Sequence, residues 1–269
     1  MPENRWIQVI GAFLLIGAGL IFLSMNLGIM PQFAPLFWAA WLITGGVIFL
    51  AAHLVGRAHW WTLIVGCALI GPGLTIVLAE ALQLPGEVAG GALLAVLGCG
   101  FGGVYLHDRR ANWWALIPAG VMAALTAMVL LSTVARGELL GAIFFGGTGL
   151  VFLALYFAEI GGRRYNWWTL IPAGALFSLA LVVLLSMLSP QAAGAALFLG
   201  LGLTFGVLYL MRGPGRPLQW AWIPAMALLG FGALILLVSG GPAGNLVWPL
   251  VIIALGLAIL LASLRRTTS

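Results

Sequence analysis

The sequence predicts an all-α polytopic membrane protein: ten transmembrane helices arranged as five parallel, tandem helical-hairpin repeats. Three observations carry this. Of 269 residues, 63% are hydrophobic and 38 are glycine, while 17 (11 basic plus 6 acidic) carry formal charge. A soluble domain is about a quarter charged, so this chain could not clothe a water-facing surface, and lipid must be its solvent. Second, Arg110-Ala-Asn112-Trp113-Trp114-Ala-Leu-Ile-Pro118-Ala-Gly120 returns 54 residues later as Arg164-Tyr-Asn166-Trp167-Trp168-Thr-Leu-Ile-Pro172-Ala-Gly174. Weaker copies begin at Arg57-Ala-His59-Trp60-Trp61 and Trp220-Ala-Trp222-Ile-Pro224, and the chain opens on Asn4-Arg5-Trp6. Third, the arginines fall almost entirely at one end of the apolar runs.

Aligned on tryptophan, the copies stand at Trp6, Trp61, Trp114, Trp168 and Trp220, spaced 55, 53, 54 and 52 apart. The chain therefore reads as one transmembrane domain, 1–269, built from units 4–58, 59–111, 112–165, 166–218 and 219–269. Each unit holds two apolar runs with a short break between them. The first gives helices over 6–27 and 36–55, the second over 60–82 and 88–106, and the third over 113–134 and 139–158. The fourth gives 167–188 and 193–211, and the fifth 220–238 and 245–264. A span needs about 20 apolar residues, so ten spans occupy most of the chain and leave no room within it for a soluble catalytic domain. Barrel strands are excluded because these runs are apolar throughout rather than alternating. The first run follows Arg5 as a signal peptide's would, but no small-x-small site ends it and it belongs to the repeat, so it reads as a retained helix. An even number of crossings per unit makes the units parallel, unlike the inverted repeats of many secondary transporters.

Orientation follows from the arginines. With this topology Arg5, Arg57, Arg109, Arg110, Arg163, Arg164, Arg212, Arg216, Arg265 and Arg266 share one side and only Arg136 lies at a hairpin tip. The positive-inside rule then places both termini in the cytoplasm, in a multi-pass protein of the bacterial inner (plasma) membrane. Trp60, Trp61, Trp113, Trp114, Trp167, Trp168, Trp220 and Trp222 start the odd helices beside these arginines. Indoles there anchor at the lipid headgroups. Pro118, Pro172 and Pro224 occupy equivalent first-turn positions, where a proline sacrifices little hydrogen bonding and sets a bend. Glycines cluster in the even helices. Gly98 with Gly102, and Gly202 with Gly206, have the four-residue spacing that lets membrane helices approach closely, and are expected to form packing seams.

Chemistry is harder to find. All 11 basic residues are arginine, scattered singly or in pairs, so no basic face for nucleic acid can be built. Cys67 and Cys99 lie in apolar runs and read as small packing residues. No ionisable residue stands at mid-membrane; Glu80 falls near an outer end, and His53, His59 and His107, with Asp108, fall near the inner boundary in no metal-ligand spacing. Neither a nucleophile elbow nor a phosphate loop is present. The expectation is a protein without catalytic residues, cofactor or bound metal.

The opening unit, Gly17-Ala-Gly-Leu-Ile-Phe-Leu-Ser-Met-Asn26-Leu-Gly28-Ile-Met-Pro31 followed by Phe37-Trp38 and Gly45-Gly46, resembles the LiaI/LiaF-like transmembrane region of bacterial membrane proteins. Trp248-Pro249-Leu250 with Gly256 in the last unit fits the same pattern. A weaker likeness is to HdeD-type membrane proteins, also made of repeated hairpins and associated with acid resistance. The first resemblance implies a component of cell-envelope stress sensing. Taken with the missing chemistry, the expected function is a non-enzymatic scaffold or partner subunit whose partners are membrane lipids and a membrane protein or second copy of itself. The alternative is a channel or facilitator for a small neutral or lipidic solute.

Overall fold

The computed structural model describes residues 3–28, 35–55, 59–135, 137–158, 166–212, 218–239 and 253. Within them the protein is all-helical, with nine helices long and apolar enough to cross a membrane. These are α1 (Glu3–Asn26), α2 (Pro35–Val55), α3 (Trp61–Ile76), α4 (Gly86–His107), α5 (Leu116–Leu131), α6 (Gly137–Phe157), α7 (Leu170–Ser186), α8 (Pro190–Leu210) and α9 (Trp222–Ser239). They match the first nine expected spans to within a few residues. The tenth, 245–264, lies outside the described residues.

Local sequence explains the ends. Helix α1 stops where Gly28 adopts φ +69°, the left-handed conformation a glycine takes without penalty at a helix C-terminus, and its N–H bonds the carbonyl of Met25. Pro35 opens α2, and Pro190 opens α8 behind Ser189, whose hydroxyl accepts from the N–H of Ala192. Proline costs nothing in a first turn because its missing N–H would have had no helical partner. Helices α5, α7 and α9 are each entered through a 3₁₀ turn: Trp113–Ala115, Trp167–Thr169 and Gln219–Ala221. Pro118, Pro172 and Pro224 sit just beyond these turns. Helix α3 differs. It carries Pro72 in its interior and runs on into a π-helical turn, Val77–Ala81, before Gln83 takes a positive φ at the hairpin tip.

Among the described residues, extensive helix contacts run only between consecutive helices, from α2 against α3 through to α8 against α9. The joints are made by glycine. A Cβ on Gly46 would lie 2.6 Å from the carbonyl oxygen of Gly66, and one on Gly66 would lie 3.0 Å from that of Gly46, so α2 and α3 touch backbone to backbone. Gly100 closes α4 on Cys67 of α3, Gly91 closes α4 on Leu130 of α5, and Gly232 closes α9 on Leu199 of α8. Gly120 against Val151 and Gly174 against Thr204 make the same joint twice, α5 to α6 and α7 to α8.

The expected glycine pairs divide here. Gly98 does approach α5, where a Cβ would meet that of Met122 at 3.2 Å, and Gly202 approaches Leu229 of α9. Gly102 and Gly206 face no described atom within 4 Å. The four-residue rule assumes that a helix has one partner. A helix inside the series has two, on nearly opposite sides, and α4 divides its glycines accordingly: Gly91 and Gly98 serve α5, and Gly100 serves α3.

Polar side chains within the spans bond mostly to the helix itself. Thr126, Ser178 and Thr204 each donate to the carbonyl four residues back. Thr75 also crosses a joint, donating to Gly71 of its own helix at 3.0 Å and to Ala89 of α4 at 3.1 Å. Thr148, 6% exposed on α6, has a hydroxyl with no partner among the described residues. Burying an unpaired hydroxyl costs about 1–3 kcal/mol. Thr148→Val, which keeps the shape and drops the oxygen, is therefore expected to raise the thermal midpoint of the protein in detergent. A fall would mean that the hydroxyl bonds to something else in the membrane.

Candidate functional site

The most organised polar and aromatic region is the edge where α3, α5, α7 and α9 begin. There the tandem tryptophans interlock. Trp60 meets Trp114 with ring centroids 5.3 Å apart, Trp113 meets Trp168 at 6.0 Å, and Trp167 meets Trp220 at 6.5 Å, all edge-to-face at interplanar angles of 65 to 73°. In each rung the first indole of one motif touches the second indole of the next. The second indole also lies against a phenylalanine of the preceding helix: Phe49 with Trp61, Phe101 with Trp114, Phe205 with Trp220. Edge-to-face contact places the positive rim of one ring on the negative face of another, worth about 0.5–1.5 kcal/mol per pair beyond the area buried. These rungs tie together helices that otherwise share no extensive contact.

The tryptophans remain half open. Trp60, Trp168, Trp220 and Trp222 are 37 to 52% exposed, as rings shared between neighbours and surroundings would be. Of the arginines named from sequence, Arg109 and Arg110 are exposed in the turn after α4; Arg57, Arg163, Arg164, Arg265 and Arg266 lie outside the described residues. Arg212 lays its guanidinium over the ring of Tyr209, 3.9 Å from the centroid.

Sequence reasoning missed the asparagines. Asn112 and Asn166 stand immediately before their 3₁₀ turns, where asparagine ordinarily accepts a bond from the helix it precedes. Neither does so. Asn112 instead donates backward through Nδ2 to the carbonyl of Val104 in α4 at 3.1 Å. Asn166 donates to the carbonyls of Leu155 and Ala158, at 3.5 and 2.9 Å, at the end of α6. A helix C-terminus leaves four carbonyls without helical donors, and here the next unit's asparagine serves them. Both are buried, at 7 and 8% exposure, so one side chain clamps the link between two helices. Where the copy at Trp60-Trp61 has His59 in this place, the partner is reversed: the His53 ring Nδ1 lies 3.2 Å from the His59 carbonyl. The signal was present in the sequence as an asparagine beside each strong motif copy, but its direction was not.

The titratable groups of this edge are partly gathered. The rings of His53 and His107 stand 5.2 Å apart, edge to face, joining the ends of α2 and α4. His59 contributes its carbonyl. No group of three potential metal ligands forms among the described residues. Asp108 Oδ1 accepts from the N–H groups of Arg110 at 2.9 Å and Ala111 at 3.0 Å. The Ala111 bond, then the Arg110 bond, hold this exposed carboxyl below the usual aspartate range, and nearby His107 and Arg110 act the same way. A carboxyl lowered on folding adds stability that is fully present above the ordinary value of about 3.9 and is lost as pH falls through the lower folded value. Asp108→Asn should thus flatten the acid limb of the thermal midpoint against pH by lowering the neutral plateau, leaving the midpoint at low pH unchanged. An unaltered acid limb would show that the turn holds without this carboxylate.

No family model, curated protein or solved structure matches the chain.

Proposed function

We propose that this is a non-enzymatic integral membrane protein of the bacterial inner membrane, serving as a scaffold, partner subunit or envelope-stress component. The observation that carries the reading is the serial packing of the array: helices α2 to α9 make extensive contact only with their neighbours in sequence and keep broad apolar faces exposed. Leu150, Leu203 and Phe157, for example, are 59 to 62% exposed. Such faces suit lipid, a membrane-protein partner or a second copy. The likeness of the end units to LiaI/LiaF-like regions supports the envelope connection. Five parallel hairpin units, with a tenth helix over 245–264 and both termini cytoplasmic, complete the reading; the recurrent 3₁₀ turns, prolines and interlocked tryptophans support the repeat, and the arginine distribution supports the orientation.

The test is purification in mild detergent followed by mass measurement of the intact particle. The reading predicts a co-purifying protein, a second copy or retained lipid. A bare, strictly monomeric particle would contradict it.

A second reading, a facilitator for a lipidic solute, is favoured by an apolar cleft between α1, α2 and α3. Flux of a fluorescent lipid between the leaflets of reconstituted liposomes separates the two, since a scaffold leaves the rate at that of protein-free vesicles.

A further inference from the structure

Helix α1 is the exception to the packing of the array. Although it adjoins α2 in sequence, it makes no extensive contact with it. The two meet where Phe22 stacks on Trp38, ring centroids 4.6 Å apart and planes 9° from parallel. Away from that stack a partly open cleft of about 310 Å³ remains between α1, α2 and α3. Leu15 and Ala18 line it from α1, Trp41 and Ile48 from α2, and Leu69 from α3; Thr44 supplies the only side-chain oxygen on its walls. Nothing lies within 4 Å of where a Cβ on Gly11 would stand, so the α1 wall is low as well as smooth.

These residues fall inside the membrane-crossing stretches Val9–Asn26, Pro35–Val55 and Trp61–Ala81. A cleft there has few fillings. Water needs two to four polar partners and would find at most the Thr44 hydroxyl and the Trp41 indole N–H among the lining side chains. Emptiness forfeits the dispersion contacts of every wall atom. The volume falls in the range of small-molecule sites, about 300–1,000 Å³, which are characteristically lined by apolar and aromatic side chains. We propose that the cleft is a binding site for one acyl chain of a membrane phospholipid, seated between α1 and the α2–α3 pair below the Phe22–Trp38 stack. Flexible methylenes conform to the cleft, Trp41 supplies a flat wall, and the headgroup stays outside in the interface. The site stands on the cleft alone, so its failure would leave the scaffold reading intact.

The experiment reconstitutes the full chain into phosphatidylethanolamine vesicles doped with a phospholipid carrying a mid-chain diazirine. After illumination, labelled residues are mapped by tandem mass spectrometry. Labelling is expected to concentrate on Leu14, Trp41 and Phe49, cleft residues that are only partly exposed, relative to the openly exposed Leu150 and Leu203. Gly11→Phe and Ala18→Phe, which fill the cleft from α1, are expected to abolish that enrichment without lowering the thermal midpoint. Even labelling over all five positions in the wild-type chain, or enrichment that survives both substitutions in folded protein, overturns the proposal. A pair Ala18→Cys with Thr44→Cys provides a second readout independent of those variants. Rapid disulfide formation in the membrane would mean that α1 seats directly on α2 and leaves no site, whereas a pair that stays reduced until the lipid is stripped supports the acyl chain.

Discussion

Gly46→Val is expected to part α2 from α3 and to cost about 3 kcal/mol, the upper end of the usual range for overpacking. The reason is the identity of the atoms in the way. The added Cβ would stand 2.6 Å from the carbonyl oxygen of Gly66 and 3.0 Å from the backbone nitrogen of Ile70. A side chain can rotate aside; a carbonyl held in a helix ladder cannot. The whole of α2 would have to retreat, and the reciprocal contact at Gly66 would be lost with it. Gly102→Val, a glycine-to-valine change in α4 with no described atom within 4 Å, should fall within about 0.5 kcal/mol of wild type. Reversible unfolding in mixed micelles measures both. Equal effects at the two positions would mean that the joints do not lie where the backbone contacts place them.

Asn166→Leu is expected to destabilise by about 1–3 kcal/mol, because it strands the Ala158 carbonyl and leaves that of Leu155 with the Ala158 N–H alone. Asn112→Leu removes a single donor bond to α4 and should cost less than the change at Asn166, which serves two carbonyls at the end of α6. The informative variant is Asn166→Asp. If Asn166 capped the helix that follows it, aspartate would serve equally well, since the two are nearly interchangeable as N-caps. As a backward donor it cannot be replaced by a carboxylate, which only accepts. Asn166→Asp should therefore be at least as damaging as Asn166→Leu, with loss of amide protection in the last turn of α6 by hydrogen exchange. Retention of wild-type stability in Asn166→Asp would refute the clamp.

Hydropathy located the nine described spans because a membrane helix is defined mainly by length and apolarity, which are local properties. The tryptophans were legible as boundary markers for the same reason. Their interlocking was not, because it pairs the first indole of one motif with the second of the next, as Trp60 with Trp114 and Trp113 with Trp168, and no local pattern encodes that offset. The asparagine clamp was hidden by a competing and usually correct rule: asparagine before a helix caps that helix. Glycine spacing pointed to close packing in general, and the described joints use Gly98 and Gly202 from its two pairs, since a helix with neighbours on two sides splits its small residues between them. Pro72 and the π-helical turn of α3 have no counterpart in the copies of the motif, so the repeat gave no hint of them.

The central claim is that helices α2 to α9 form a series in which each packs on its neighbours in sequence, so that function resides in the exposed faces rather than in an enclosed interior. Cysteine-pair crosslinking in native membranes, on a background lacking Cys67 and Cys99, tests it most directly. The account predicts disulfides between consecutive helices, such as α3 with α4 and α7 with α8, none within one chain between α3 and α6 or between α2 and α9, and crosslinks from the open faces only to lipid, partner or second copy. Efficient disulfides within one chain between α2 and α9 or between α3 and α6 would show that the series closes into a bundle, and would contradict the account.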